Sequence, residues 1–232
     1  MLQNDYRTWY RNIFRVAHPL TLAMLLLIPV QIVVFVAFPP PNSVEGFYEL
    51  FRTHPFLGLL SLDLLYLLNN AILIVVYLAV FFLLVSSKPV TSILALVMGL
   101  VGIACYYPSN PSFEMLTLSK QFFAAEPALS QIYLGAGEAV MAAYTGTAFN
   151  SYYVLNSVCL ILFAYGFLTT SEYKRSIGIW GMASGLLMTI PSSAGTIGMV
   201  FSLLSLIPWM VFIGLLLQVF RKYAKVSSTR AA

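Results

Sequence analysis

Long apolar runs separated by short polar or proline-containing stretches dominate the pattern of this chain. A helix needs about 20 residues to cross a hydrocarbon layer of about 30 Å, and most of these runs reach or approach that length. They predict membrane-spanning helices at 20–38, 56–85, 90–107, 150–168, 177–190 and 197–220. The pattern therefore predicts an all-α fold, a polytopic helical bundle that forms a single membrane domain over residues 1–232.

Two shorter helices are predicted beside the first span. Arginines recur at every fourth position among aromatic residues over 4–18, which is typical of an amphipathic helix lying in the membrane interface. Asn42 and Glu45 are spaced like a helix-capping pair, so a short helix is predicted over 43–53, ending before Pro55.

The long segment Ser109–Phe149 is predicted to be an outer loop between helices three and four, and the basic residues support this topology. Six spans place ten basic residues on the cytoplasmic side and two, Arg52 and Lys120, outside. Counting the largely apolar run 129–144 as a seventh crossing leaves four inside and eight outside, against the usual bias. We therefore expect both termini in the cytoplasm and 129–144 on the outer side, as an extension of helix four or a partly re-entrant segment. The ten residues are Arg7, Arg11, Arg15, Lys88, Lys174, Arg175, Arg221, Lys222, Lys225 and Arg230.

Composition agrees with a membrane protein and narrows the partners. Apolar residues make up 60% and charged residues 9% of the chain, against roughly 45–50% and 25% in soluble domains. Because the basic residues flank apolar runs, their expected partner is the anionic leaflet of the bilayer and not nucleic acid. Two isolated cysteines and two histidines, one at each membrane side, predict no metal site and no cofactor.

A polar stripe in the second predicted span is the first candidate site. Asp63, Tyr66 and Asn70 are spaced at three and seven residues, which places them on one helical face. Such a stripe can be a hydrogen-bonding seam between helices, with the carboxylate in headgroup water. It can also be a ligand or proton site, because ionisable groups at membrane depth are costly.

A second carboxylate, Glu138, lies between glycines and alanines in the outer segment. Tight backbone packing with Glu138 facing solvent would explain that sequence. The alternative hypothesis is that Asp63 and Glu138 line one outward-opening polar vestibule together with four tyrosines. These tyrosines are Tyr106, Tyr107, Tyr152 and Tyr153.

Small residues mark two positions where helices are expected to pack closely. Gly181 and Gly185 form a GxxxG pattern in the fifth span, and Gly99 and Gly102 lie in the third. Such glycines allow two helix backbones to approach. Packing within the monomer is the preferred interpretation of Gly181 and Gly185, and a homodimer contact is the alternative.

Three short sequences, in this order along the chain, carry a family resemblance. They are Asp63–Asn70 (DLLYLLNN), Gly137–Ala139 (GEA) and Gly146–Phe149 (GTAF). With the basic amphipathic start, they make the chain similar to the bacterial integral-membrane family catalogued as domain of unknown function 4386. The resemblance covers nearly the whole chain and implies a bacterial plasma (inner) membrane protein of some six helices. It implies no activity and no catalytic residue.

We interpret the chain as a non-enzymatic membrane protein with two open roles. It would bind a lipid or small amphiphile in an outward-facing polar pocket, or serve as an accessory subunit beside other membrane proteins. One alternative is a lipid-modifying enzyme that uses Asp63 or Glu138 as general acid or base. Another is a small-solute permease, which would need a polar path to the cytoplasmic side.

Overall fold

The structure, a computed structural model, describes residues 2–225, with side chains from residue 12 onward. The side chains of Arg7 and Arg11, and all of Arg230, lie outside the described residues. The described range is helical and contains no strand, which confirms the predicted fold class. Its helices are α1 (Leu2–Ala37), α2 (Val44–Thr53), α3 (Pro55–Ser61), α4 (Leu64–Leu84), α5 (Pro89–Ser109), α6 (Ser112–Ala124), α7 (Pro127–Tyr144), α8 (Thr147–Leu168), α9 (Arg175–Leu187) and α10 (Gly195–Lys225).

Five helical stretches are long and apolar enough to cross a membrane, as expected for a membrane protein. They are Asn12–Ala37, Leu64–Leu84, Pro89–Ala124, Pro127–Leu168 and Gly195–Lys225. Helix α9 corresponds to the predicted span 177–190 and is not among them. Its 13 residues extend about 20 Å, less than the thickness of the hydrocarbon layer.

Helix α1 joins two elements that the sequence predicts as separate. The predicted interfacial helix 4–18 and the predicted span 20–38 lie in one uninterrupted helix, Leu2–Ala37. Its inward positions include Phe14, Ala17, Thr21 and Met24, which are fully buried and recur at three- and four-residue intervals. Because this stripe continues across residues 18–20, the same face packs before and after the expected boundary.

The predicted second span, 56–85, is corrected by a break at Asp63. Helix α3 ends at Ser61 and α4 begins at Leu64, because Asp63 has φ +64°. A right-handed helix cannot continue through a left-handed residue, and only glycine, asparagine and aspartate adopt this region readily. The membrane-spanning helix is therefore Leu64–Leu84, and Asp63 lies before its first residue.

The predicted outer loop 109–149 is also corrected, because α6 and α7 occupy most of it. These two helices pack on each other and on α2, and α2 and α6 both contact α3. Val44, Phe47, Tyr48 and Phe51 form a buried stripe along α2, at the spacing of one helical face. This stripe supplies an apolar core on which the short helices α6 and α7 pack, so the segment is helical and not an extended loop.

The described residues group into two compact units. The first unit contains residues 2–26, 70–103 and 152–225, and the second contains Leu27–Asn69 and Ala104–Ser151. The core of the second unit is formed by α2 with Leu62 and Met115. Within this core the Tyr48 hydroxyl donates to the Tyr133 carbonyl at 2.8 Å, and the Ser119 hydroxyl donates to the Tyr48 carbonyl at 2.9 Å. These bonds fix α6 and α7 against α2.

The first unit contains the four glycines that were predicted to mediate helix packing. Gly99 and Gly102 lie against α4 and α8, where a Cβ would meet Tyr77 and Cys159 or the Asn156 amide. Gly181 lies against Phe212 and Ala164, and Gly185 against Ile161. All four glycines lie against residues of the same chain, and the choice between internal packing and a homodimer contact for Gly181 and Gly185 stays a prediction.

Candidate functional site

The site is built around the break between α3 and α4. The Asp63 backbone carbonyl accepts the amide protons of Tyr66 at 2.9 Å and Leu67 at 3.1 Å, so the residue that ends the break also starts α4. The Leu62 carbonyl accepts two hydrogen bonds, one from the side-chain nitrogen of Asn110 at 2.7 Å and one from the Ser112 hydroxyl at 2.6 Å. The break is therefore held by hydrogen bonds from the α5–α6 junction.

Three tyrosines gather around the Asp63 side chain. The Tyr144 hydroxyl, at the last residue of α7, donates a short hydrogen bond to Oδ2 of Asp63. The rings of Tyr66 and Tyr106 pack at a centroid distance of 5.3 Å, and Tyr106 is within electrostatic range of Asp63, Tyr144 and Tyr66. We call these four residues the Asp63 cluster. Asp63, Tyr66 and Tyr144 are only partly buried, whereas Tyr106 is fully buried.

Asp63 is an acid whose environment disfavours its charge. Burial raises the pKa of Asp63 to about 6, and the hydrogen bond from Tyr144 opposes this rise. The ion pair among the described residues joins Arg52 to Glu49, so Asp63 has no basic partner in the part of the chain that the structure describes. The pKa of Asp63 is higher in the fold than in the unfolded chain. The free energy of unfolding is therefore expected to fall as the pH rises from about 4 to about 6, because the unfolded chain loses this proton first.

Three residues of the second unit have a buried side-chain oxygen without a hydrogen-bond partner. Ser61, two residues before Asp63, is 4% exposed and its hydroxyl has no partner. Gln31 of α1 donates through its side-chain nitrogen to the Leu60 carbonyl at 3.4 Å, and its side-chain oxygen has no partner. The Asn69 side-chain oxygen, on α4, also has none. Such groups are costly unless water or a ligand satisfies them.

The structure brings together only some of the residues predicted for the vestibule. Asp63, Tyr66 and Tyr106 lie in the Asp63 cluster, and Tyr107 is next to it, 40% exposed, donating to the Leu67 carbonyl at 3.3 Å. Glu138 is exposed and lies six residues before Tyr144, about 120° around α7.

The remaining predicted residues belong to the first unit. Tyr153 contacts the Ser202 hydroxyl at 2.9 Å, and Tyr152 accepts a hydrogen bond from Asn156 through its backbone carbonyl at 3.0 Å. Asn70 is fully buried at the start of that unit's α4 segment. These three residues therefore pack within the first unit and are not part of the Asp63 cluster.

Several residues of the site were not predicted from the sequence. Tyr144, Asn110 and Ser112 reach the break from α7 and the α5–α6 junction, between 48 and 81 residues along the chain from the residues they bond. The signal that could have located the break is local: an aspartate in the first third of a 30-residue apolar run, which is longer than one crossing needs.

No protein-family model matches this chain, and comparison with curated proteins and with solved structures also gives no match. Its resemblance to the family named above therefore stays a prediction.

Proposed function

We propose that the protein is a non-enzymatic polytopic protein of the bacterial inner membrane that binds a small amphiphile at the Asp63 cluster, from the outer side. It has six crossings and both termini in the cytoplasm. The observation that carries the proposal is Asp63, a partly buried residue at a helix break that lacks a basic partner among the described residues and accepts a hydrogen bond from Tyr144. A tyrosine ring offers an apolar face and a polar tip, which suits a ligand at the lipid–water boundary.

The distribution of charge supports this orientation. The second unit carries two of the chain's twelve basic residues and six of its eight carboxylates. The basic residues are Arg52 and Lys120, and the carboxylates are Glu45, Glu49, Asp63, Glu114, Glu126 and Glu138. Since basic residues concentrate on the cytoplasmic side, the segments 42–63 and 108–149, which hold these eight charged residues, belong on the outer side.

The short helix α9 is the sixth crossing in this proposal. Without it, five crossings would place Arg221, Lys222 and Lys225 on the side opposite to the N-terminal arginines, against the usual bias. Close packing of Gly185 against Ile161 of α8 supports a membrane location for α9. A crossing of this length requires a locally thinner bilayer or a loop 188–194 that dips into it.

The enzyme alternative gains no geometric support from the two carboxylates. A general acid and base must both reach the reacting atoms. Asp63 contacts Tyr144, whereas Glu138 is exposed and lies on a different face of α7. The cluster therefore offers one carboxylate and three phenols, an arrangement better suited to binding than to acid–base catalysis.

The test compares the bound molecules of three purified variants. We expect native mass spectrometry of detergent-extracted wild type to show a bound lipid or other amphiphile, which Asp63→Asn loses and Glu138→Gln keeps. Asparagine also adopts the left-handed region, so Asp63→Asn preserves the backbone of the break. Glu138→Gln removes the same charge from an exposed position and serves as the matched control. Equal retention by all three proteins, or no bound molecule in wild type, would contradict the proposal.

A further inference from the structure

The chemistry of the Asp63 cluster restricts the kind of headgroup that could bind there. Asp63 is a carboxylate without a basic partner in the described part of the chain. A ligand with a protonated amine would supply the missing partner and would donate a charge-assisted hydrogen bond to the carboxylate of Asp63. An anionic headgroup would instead place two negative charges together in a poorly solvated position.

The aromatic residues around Asp63 favour the same ligand. Tyr66 and Tyr106 pack in a tilted pair, and Tyr66 is a partly buried residue. The negative face of an aromatic ring attracts a cation within about 6 Å of its centroid, and aromatic residues are the usual binding surface for substituted ammonium groups.

Buried oxygens beside the cluster provide a second, independent observation. Ser61 and Gln31 are at least nine-tenths buried, and each has a side-chain oxygen without a hydrogen-bond partner. Ser61 is the last residue of α3, two residues before Asp63, and Gln31 of α1 reaches the same end of α3 because its side-chain nitrogen donates to the Leu60 carbonyl. An ammonium group has several donors and no acceptor, so oxygens of this kind are matched to it.

The surrounding surface agrees with a cationic ligand. The second unit has a net formal charge of −4, from two basic and six acidic residues. Its Arg52 is already engaged by Glu49 at 2.6 Å and lies 4.7 Å from the Phe123 ring centroid. The unit therefore attracts cations and repels anions over the distance of a Debye length.

We propose that the Asp63 cluster binds an amphiphile through a protonated primary amine headgroup. The inference rests on the proposed function, since it names the ligand class of that same site. Two sources share this chemistry: the amine headgroup of a membrane phospholipid, and a free single-chain alkylamine.

The experiment titrates the full-length protein in neutral maltoside micelles and follows binding by native mass spectrometry. The single-chain probes are decylammonium, decyl sulfate and excess decyl maltoside. The phospholipid probes are phosphatidylethanolamine and phosphatidylglycerol. We expect decylammonium to bind about tenfold or more tightly than the other single-chain probes, since losing one charge-assisted hydrogen bond costs about that factor. Asp63→Asn abolishes this preference, and Glu138→Gln keeps it.

A ring variant separates the aromatic contribution from the carboxylate. Tyr66→Leu is expected to weaken decylammonium binding about threefold or more, and Tyr66→Phe to keep it, because the phenylalanine ring retains the cation-binding face. If phosphatidylethanolamine binds with the same variant pattern, the source is the phospholipid. If only the alkylamine does, the source is a free amine.

The outcomes distinguish failure of this inference from failure of the proposed function. Equal affinity for cationic, neutral and anionic probes, all weakened by Asp63→Asn, overturns the amine headgroup and leaves an amphiphile site at Asp63. Binding that Asp63→Asn and Glu138→Gln affect equally overturns both. Unchanged elution of Asp63→Asn from size exclusion shows that a loss of binding is not a loss of fold.

Discussion

Gly137→Val is expected to lower the free energy of unfolding by about 2–4 kcal/mol and to release α7 from α2. A Cβ at Gly137 would collide with the Tyr48 hydroxyl and lie 2.6 Å from Cγ1 of Val44. Inserting methyl groups into a packed core costs about 1–3 kcal/mol, and displacing Tyr48 also breaks its 2.8 Å bond to the Tyr133 carbonyl, at about 1 kcal/mol.

The matched control lies two residues earlier in the same helix. Gly135 has no atom within 4 Å of a Cβ, so Gly135→Val adds the same side chain without a collision. We expect it to leave stability unchanged or to raise it slightly, because valine has a higher helix propensity than glycine. Thermal unfolding in detergent, with tryptic cleavage at Lys120 as a local readout, measures both variants. Equal effects at the two positions would show that α7 does not pack on α2 through Gly137.

Gly185→Val is expected to lower the free energy of unfolding by about 2–3 kcal/mol. We expect this loss of stability without a change in oligomeric state. A Cβ at Gly185 would lie 2.8 Å from Cγ1 and 3.2 Å from the backbone nitrogen of Ile161. Because backbone atoms cannot move aside as a flexible side chain can, α9 must shift away from α8. The shift also breaks the 2.9 Å hydrogen bond from the Ser157 hydroxyl to the Gly185 carbonyl.

Gly214→Val is the control for this prediction, since a Cβ at Gly214 meets nothing within 4 Å. Unfolding curves and light scattering together separate internal packing from a dimer contact. A Gly185→Val protein that unfolds like wild type but loses a dimer would contradict internal packing and restore the homodimer interpretation.

The sequence predicts the membrane class well because lipid imposes a simple rule: a span must be continuously apolar and about 20 residues long. Helices α5 and α8 therefore begin and end within three residues of the predicted spans 90–107 and 150–168. The break at Asp63 was missed because the apolar composition continues across it on both sides. The non-helical backbone angles of Leu62 and Asp63, together with hydrogen bonds from distant residues to the Leu62 carbonyl, interrupt the helix.

The candidate site was predictable to a similar extent. The spacing of Asp63 and Tyr66 predicted that they lie close together, and they do, although Asp63 lies in the break before α4 and not on a helical face. Tyr144 was not predictable, because its contact with Asp63 depends on how α7 packs on α2 and α6. Glu138 attracted the second prediction because it is a carboxylate in an apolar run. The structure places it on the exposed face of α7, beside Gly137, which faces the core.

Cysteine labelling of intact cells tests the six-crossing topology, in which the segments 42–63 and 108–149 lie on the outer side. In a Cys105→Ala, Cys159→Ala background, single cysteines replace four exposed residues: Ser86, Glu126, Ser171 and Ala194. A maleimide that cannot cross the inner membrane is predicted to label positions 126 and 194 and to reach 86 and 171 only after permeabilisation. Labelling of 86 and 126 from the same side, or protection of 194, would contradict the six-crossing topology.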